Sequence, residues 1–268
     1  MFNNMTPVVK QLLIINVICY IMSQVVPNSY EHFSMYYFEN PHFRIWQPIT
    51  HMFMHSKESL LHIVFNMFAL VSFGSVLEHF WGAKRFLIFY FVCGIGSALL
   101  HQGVAFYEIH SQIIELTNGA FTNSDISTLL QTDIVEGNTL VLKPMIENNL
   151  ELFNKLNETN FDGNAFLGAV SNAYIPAVGA SGAIYGLLVA FAFMFPNAEL
   201  AMMFIPVPIK AKYFVPILVA FDVFSGISGS SILGGANVAH FAHVGGAITG
   251  FILMWIWKNK KFTHNRWN

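Results

Sequence analysis

Charged side chains are scarce in this 268-residue chain. Asp, Glu, Lys and Arg make up 10% of the residues, whereas hydrophobic residues make up 54%. A typical soluble domain carries about a quarter charged residues, so the composition indicates a membrane protein. No basic patch suited to nucleic acid occurs, and we expect no nucleic-acid partner. The two cysteines, Cys19 and Cys93, lie in apolar stretches without metal or redox spacing, and we interpret them as packing residues.

Six apolar stretches are long enough to cross the hydrocarbon core of a bilayer, which takes roughly 17 to 25 helical residues. The first contains Asn16, Ser23 and Gln24 and has no small-residue cleavage site after it, so we expect a retained helix. The sequence thus predicts an all-α, polytopic fold of six transmembrane helices that forms a single membrane domain over 1–268. The stretches lie at 11–27, 59–80, 86–106, 175–195, 211–227 and 238–257.

The distribution of charge predicts an orientation and an insert. With the N-terminus inside, nine of the 13 lysines and arginines fall on the inner side, which places both termini in the cytoplasm and the protein in the cell (cytoplasmic or inner) membrane. Nine of the 15 acids lie between spans three and four, so we expect 107–174 to be an acidic extracytoplasmic insert. Within it, Ile146, Leu150, Phe153 and Leu156 have helical spacing, which predicts an amphipathic helix with these residues packed inward as a cap.

Polar residues recur inside three of the predicted spans, where burying a charged side chain costs about 2.5 to 3.5 kcal/mol on insertion scales. His62 and Asn66 are one helical turn apart in span two, and Ser181 and Tyr185 are one turn apart in span four. These spans and span six run in the same direction. At ~1.5 Å per residue, His62, Asn66, Ser181 and His243 all lie within roughly 5 to 11 Å of the outer surface. We therefore expect them to meet.

Glycines accompany the polar residues of spans four and six. Gly182 with Gly186, and Gly246 with Gly250, are small residues four apart, the spacing that lets transmembrane backbones touch. Gly179 lies two residues before Ser181. The pattern predicts close approach of the two spans, with space for a substrate beside the serine.

The residue types indicate nucleophilic catalysis. A serine hydroxyl is a weak nucleophile until a base removes its proton, and histidine is the usual base, so Ser181 and His243 form the candidate pair. The oxyanion that follows attack on a carbonyl needs donors aimed at it; His62, Asn66 and the Ser181 N–H are available. Tyr185 is placed to hold the His243 ring by stacking.

Three motifs together resemble the rhomboid intramembrane serine proteases. They are Gly179-Ala180-Ser181-Gly182 with Tyr185 four residues after the serine, His62 with Asn66, and AHVGGAITG from 242 to 250. The resemblance covers the six-span core and leaves out the acidic insert. It implies a catalytic dyad of Ser181 and His243, an oxyanion hole of His62 and Asn66, and cleavage of transmembrane segments near their outer ends. The family's Trp-Arg pair is absent, because Gln47 follows Trp46.

Several of these polar residues have alternative roles. His240 is a rival base one turn before His243, but the residues three and seven after it are not glycines, which favours a gating or hydrogen-bonding role. A structural interpretation makes His62 and Asn66 hydrogen-bond partners of each other or of a loop backbone. Asp222 invites a triad, yet the resemblance implies a dyad, so we interpret it as a satisfied interfacial carboxylate. Glu78 is interpreted as a polar staple to a loop or helix end.

Three functions compete. The first is an intramembrane serine endopeptidase that acts in the lipid bilayer on single-span or multi-span membrane proteins. The second is a catalytically inactive rhomboid-like protein that binds or escorts membrane proteins, and intact Ser181 and His243 count against it. The third is a channel or transporter, disfavoured because no span is broken at mid-depth by paired Gly or Pro. No HExxH motif occurs, so neither a metal nor another cofactor is expected.

Overall fold

The computed structural model describes residues 5–132, 135–136, 139–141, 143–202, 205–228 and 240–258. Helices dominate them, as the sequence predicts. In chain order they are α1 Pro7–Val25, α2 Ser29–Phe33, α3 Gln47–Thr50, α4 Leu60–Ala69, α5 Ser75–Trp81, α6 Ala83–Leu116, α7 Asn123–Leu130, α8 Lys143–Asn148, α9 Leu150–Asn157, α10 Gly163–Ser171, α11 Ser181–Met194, α12 Ala211–Ser228 and α13 His240–Lys258. A π-helical turn, Leu70–Gly74, joins α4 to α5.

Two short hairpins interrupt the all-α prediction. One pairs β1 Val135–Glu136 with β2 Thr139–Leu140, and the other pairs β3 Glu199–Met202 with β4 Ile205–Lys210. The second hairpin lies between the fourth and fifth predicted spans, in the connection that joins them. Two prolines in β4 explain why this segment is not helical, since proline removes a backbone donor and disrupts a helix interior.

Five helical segments of the described chain have the length and apolar composition to cross a membrane. They are α1, α4 to α5 with the π-helical turn between them, α6, α12 and α13. The third is longer than predicted, at 34 residues, because its helix continues into the insert.

The fourth predicted span, 175–195, differs from the structure. Only its second part is helical, since α11 begins at Ser181 and has 14 residues, about 21 Å of helix against a hydrocarbon core of roughly 30 Å. Before it, Ile175 is extended, Pro176 follows, and Gly179 has φ +125°, a value outside the helical region. Ser181 is thus the first residue of its helix.

The first of two compact units comprises the described residues of 1–30, 48–101 and 178–268. Its centre is α11, in which nine of 14 residues are buried. Large apolar side chains from other helical segments belong to the same core, among them Leu70, Phe86 and Tyr90, each with no exposed surface. A short apolar helix is therefore shielded by other helices.

Glycines allow α13 and α6 to approach α11 closely. A methyl group built on Gly250 would lie 2.8 Å from Gly186 Cα, and one on Gly246 would lie 3.1 Å from Gly182 Cα. On the α6 side, a methyl group on Gly186 would lie 2.7 Å from the Cβ of Cys93. Cβ atoms do not tolerate such distances to backbone, so the two glycine pairs bring the helices together as the pattern predicts.

Glu78, in α5, caps the first helix. Its buried carboxylate accepts hydrogen bonds from Val8 N at 3.0 Å and Val9 N at 2.9 Å, and from the hydroxyl of Thr6. The two backbone N–H groups are orphan donors at a helix N-terminus, where a negative charge is also favoured by the helix dipole. The interpretation of Glu78 as a staple to a helix end is confirmed.

The second unit consists of 31–47 and the described residues of 102–177, so it joins part of the connection between α1 and α4 to the insert. Its core is formed by side chains with no exposed surface, namely Ile113, Ile126, Leu129, Leu130, Leu156, Phe166 and Val170. Glu39 ties its parts together: it lies 2.8 Å from His110 Nε2, accepts from Ser127 Oγ at 2.5 Å and accepts from Tyr37 OH at 2.9 Å.

The predicted amphipathic helix of the insert is two helices with a different buried face. Asn149 interrupts the helix, and its side chain accepts from Leu152 N at 3.1 Å as the N-cap of α9. The break changes the helical phase. Leu152 and Leu156 are buried, whereas Ile146 and Leu150 are 46% and 56% exposed. The prediction that all four apolar residues pack inward was therefore wrong for Ile146 and Leu150.

Candidate active site

Ser181 stands at the N-terminus of α11, directly after a turn that the backbone holds in place. Gly179 N donates to His51 O at 2.9 Å, and the positive φ of Gly179 turns the chain into the helix. Backbone N–H groups in the first turn of a helix have no intrahelical acceptor. The serine therefore lies where free donors and the positive end of the helix dipole coincide.

His243, in the first turn of α13, faces the serine. Its Nε2 lies 2.9 Å from Ser181 Oγ, within the distance over which a histidine can take a hydroxyl proton. The 62 residues that separate them in sequence are bridged by the glycine contacts between α11 and α13. The two residues that the sequence singled out as nucleophile and base are thus hydrogen-bonded neighbours.

Asp222, in α12, lies behind the histidine. Its Oδ1 is 3.1 Å from His243 Nδ1 and 2.6 Å from His240 Nδ1, and its Oδ2 accepts from the Tyr185 hydroxyl. An ionised carboxylate only accepts hydrogen bonds, so each Nδ1 carries a proton. His243 then has its lone pair on Nε2, directed at Ser181.

The interpretation of Asp222 as a carboxylate at the interface misses these contacts. The sequence did offer one signal, a single acid within an apolar span, because burying such a group without a partner costs free energy. The sequence could not show that the partner is His243, since the contact joins two helices. His240 has the hydrogen-bonding role that its position favours, and its acceptor is Asp222.

Tyr185 supports the histidine from one side. Its ring stacks on that of His243 with a centroid separation of 4.3 Å and an interplanar angle of 11°. Its hydroxyl donates to Asp222. The tyrosine thus fixes the plane of the imidazole and holds the carboxylate that orients it.

The position that a side chain on residue 179 would take lies between His62 and the serine, and Gly179 leaves it without one. A methyl group at Gly179 would lie 3.0 Å from His62 Nε2 and 3.5 Å from Ser181 Oγ. His62 Nδ1 accepts from Ser56 N at 3.1 Å, so in the neutral ring the proton is on Nε2. Because Gly179 has no side chain, none of its atoms stands between the His62 N–H and the Ser181 hydroxyl, and a donor this close to a nucleophile suits a developing oxyanion.

Among the described residues, no hydrogen bond joins Asn66 to Ser181. Its Nδ2 donates to His62 O at 2.7 Å, and its side chain is buried. This contact fixes the amide on the backbone that carries His62. One N–H of the amide remains, and a direct role for Asn66 toward the oxyanion stays a prediction.

Comparison with known proteins identifies the family of the chain. A family model described as Rhomboid domain matches residues 42–112 and 159–260, more than half of the chain, and leaves 113–158 of the insert unmatched. The Rhomboid-like protease 3 of Toxoplasma gondii is 30% identical over 97 residues. That alignment covers 33% of this chain and 36% of the relative. The chain is an integral, multi-pass membrane protein and belongs to the rhomboid family.

Proposed function

We propose that this protein is an intramembrane serine endopeptidase. The observation that carries the proposal is the 2.9 Å hydrogen bond between Ser181 Oγ and His243 Nε2. Asp222 supports it from behind, because its hydrogen bond fixes the histidine tautomer whose Nε2 accepts a proton. In this proposal Ser181 is the nucleophile, His243 is the general base and Asp222 is a positioning residue.

The steps follow from these positions. His243 Nε2 takes the Ser181 proton as Oγ attacks the scissile carbonyl, and the resulting imidazolium is stabilised by Asp222 and by the Tyr185 ring. The carbonyl oxygen becomes an oxyanion in the space beside Gly179, where His62 Nε2–H and the Ser181 N–H can donate to it. Collapse breaks the C–N bond, and His243 gives the proton to the leaving amine. A water molecule then hydrolyses the acyl-enzyme by the same steps.

The proposed substrates are transmembrane segments of single-span or multi-span membrane proteins. In the proposed topology, α11 joins the five longer helical segments as the sixth span, both termini are cytoplasmic, and Ser181 lies toward the outer face. A peptide bond inside a transmembrane helix is protected by its own hydrogen bonds. Substrates therefore have to unwind locally to reach the serine, and we expect helix-breaking residues near the cleaved bond to raise the rate.

The second candidate is a catalytically inactive rhomboid-like protein that escorts membrane proteins. It requires no ordered nucleophile and base. The aligned Ser181, His243 and Asp222 favour the enzyme, since an escort gains nothing from a histidine held by a carboxylate and a stacked tyrosine.

The test is cleavage by purified protein in liposomes. A tagged single-span substrate is incubated with wild-type protein, Ser181→Ala, His243→Ala and the double variant. We expect loss of cleavage in each, with no further loss in the double variant, because nucleophile and base act as a unit. Cleavage by Ser181→Ala at the wild-type rate would refute the mechanism. Absence of wild-type cleavage together with binding of the substrate would favour the escort.

A further inference from the structure

Three metal-ligand side chains converge behind the serine. Asp222, His240 and His243 each offer one ligand atom, and these atoms all lie within 4.8 Å of one another. It is the one such group of three among the described residues. Both histidine side chains are 15% exposed and that of Asp222 is 5% exposed, so the group is partly open to solvent.

We propose that Asp222, His240 and His243 form an inhibitory binding site for a divalent transition metal, with Zn²⁺ as the best fit. Two imidazoles and a carboxylate make up a donor set that zinc prefers. The binding itself is independent of the reaction, and only its inhibitory effect rests on the proposed function.

The observed distances suit this metal. Oδ1 of Asp222 is 2.6 Å from His240 Nδ1 and 3.1 Å from His243 Nδ1. Ligand atoms about 2.0 to 2.1 Å from a tetrahedral Zn²⁺ lie roughly 3.3 Å from one another. Each histidine nitrogen therefore has to move away from Asp222 Oδ1 by less than about 1 Å, and the two nitrogens already lie within 4.8 Å of each other. A water molecule can complete the tetrahedron.

Metal at this site would disable the base without displacing it. A neutral imidazole that binds a metal through Nδ1 keeps its single proton on Nε2. His243 would then present an N–H to Ser181 Oγ in place of a lone pair. It could no longer take the serine proton, so occupancy and nucleophilic activation exclude each other.

His240 is the histidine of the proposed metal site that does not belong to the Ser181–His243 pair. Its Nδ1 contacts Asp222, and its removal leaves the hydrogen bonds of His243 to Ser181 and to Asp222 possible. Replacing His240 with glutamine therefore distinguishes two cases. In one, His240 serves only as a metal ligand or as a partner of Asp222; in the other, it is needed for cleavage.

Binding is measured on Ser181→Ala protein purified without an oligohistidine tag. Titration with Co²⁺, followed by its visible d–d absorption, should give one ion per chain that Zn²⁺ displaces. His240→Gln should weaken binding by at least about tenfold, since even the loss of an outer-shell partner costs 10- to 100-fold. The exposed His79 of α5 supplies the control, and His79→Gln should bind as the parent does.

Inhibition is measured on wild-type protein with the single-span substrate. Zn²⁺ should reduce cleavage, a chelator should restore it, and His240→Gln should raise the half-inhibitory Zn²⁺ concentration by at least about tenfold. Zinc-edge X-ray absorption of the Ser181→Ala complex should show two imidazoles and oxygen ligands, a readout that does not depend on the folding of His240→Gln. Cleavage without Co²⁺ binding would overturn this inference alone, whereas binding without wild-type cleavage would support the site and overturn the protease. Binding that His240→Gln leaves unchanged would also overturn the site.

Discussion

Gly250 of α13 lies against the backbone of Gly186 in α11. A methyl group on Gly250 would be 2.8 Å from Gly186 Cα and 2.9 Å from its carbonyl oxygen, so the contact leaves no room for a side chain. The same helix pair carries Ser181 and His243. Glycine packing in the middle of the pair thus sets the distance between Ser181 and His243 at the N-terminal ends of the two helices.

Replacement of Gly250 by alanine should separate the two helices. We expect a loss of about 1 to 3 kcal/mol in stability, as for overpacking of a filled core, and a larger relative loss of cleavage. Thermal unfolding in detergent and the cleavage rate measure the two effects. Gly103→Ala is the control, because nothing lies within 4 Å of a methyl group there. Equal behaviour of both variants would contradict the packing role.

Asp222→Asn should lower kcat with little change in KM. An asparagine can present its amide N–H to His243 and so favour the wrong tautomer, and the corresponding change in a serine protease with a Ser-His-Asp triad lowers kcat about 10⁴-fold. We expect a loss on the order of 10²- to 10⁴-fold here. Rates over a range of substrate concentrations in liposomes separate kcat from KM. A rise in KM at constant kcat would show that Asp222 acts on substrate binding instead.

Gly179→Ala should obstruct the oxyanion space. The added methyl group would lie 3.0 Å from His62 Nε2, and φ +125° is strained for alanine. Loss of one oxyanion donor typically costs ~10²- to 10³-fold in kcat, and we expect a loss of that order. Asn66→Ala, measured beside it, should slow cleavage through the support of His62. Full activity of Gly179→Ala in folded protein would place the oxyanion elsewhere.

The sequence predicted those parts of the site that depend on spacing within a helix. Helical periodicity predicts the pairs Ser181 with Tyr185 and His62 with Asn66, and also the two glycine pairs. The predicted depth of these residues in the bilayer adds that the polar ones meet. Asp222 did not, since its partners lie on other helices and an isolated acid does not identify them. Leu150 was assigned to the wrong face because the side chain of Asn149 caps a new helix. A cap within a periodic pattern changes the face of the helix on which the following residues lie.

His55 should make stability depend on pH. It lies on the loop before α4, and burial together with the neighbouring His62 lowers its pKa from 6.5 to about 3. Between these values the unfolded chain binds a proton that the native protein does not. Stability is therefore present above pH 6.5 and is lost as pH falls toward 3, by up to about 1.4 kcal/mol per pH unit.

His55→Gln tests this dependence. Glutamine can still donate to Asn16 Oδ1, which lies 2.9 Å from His55 Nε2, but it does not titrate. Between pH 6.5 and 4.5 the unfolding temperature of wild-type protein should fall more steeply than that of the variant. His79→Gln, which removes an exposed histidine, should keep the wild-type slope. Parallel curves for wild type and His55→Gln would assign the acid sensitivity to other groups.

Leu156→Ala should loosen the second unit. Leu156 is fully buried in its core, and truncation of a buried leucine to alanine costs about 2 to 5 kcal/mol. Leu150 is 56% exposed on the same helix, so Leu150→Ala is a matched control with an expected change within about 0.5 kcal/mol.

Hydrogen exchange followed by mass spectrometry should show faster exchange in α7, α9 and α10 for Leu156→Ala alone. Slowly exchanging amides of α11 and α13 should keep their rates, because those helices belong to the other unit. Faster exchange in all five helices would show that the two units unfold together.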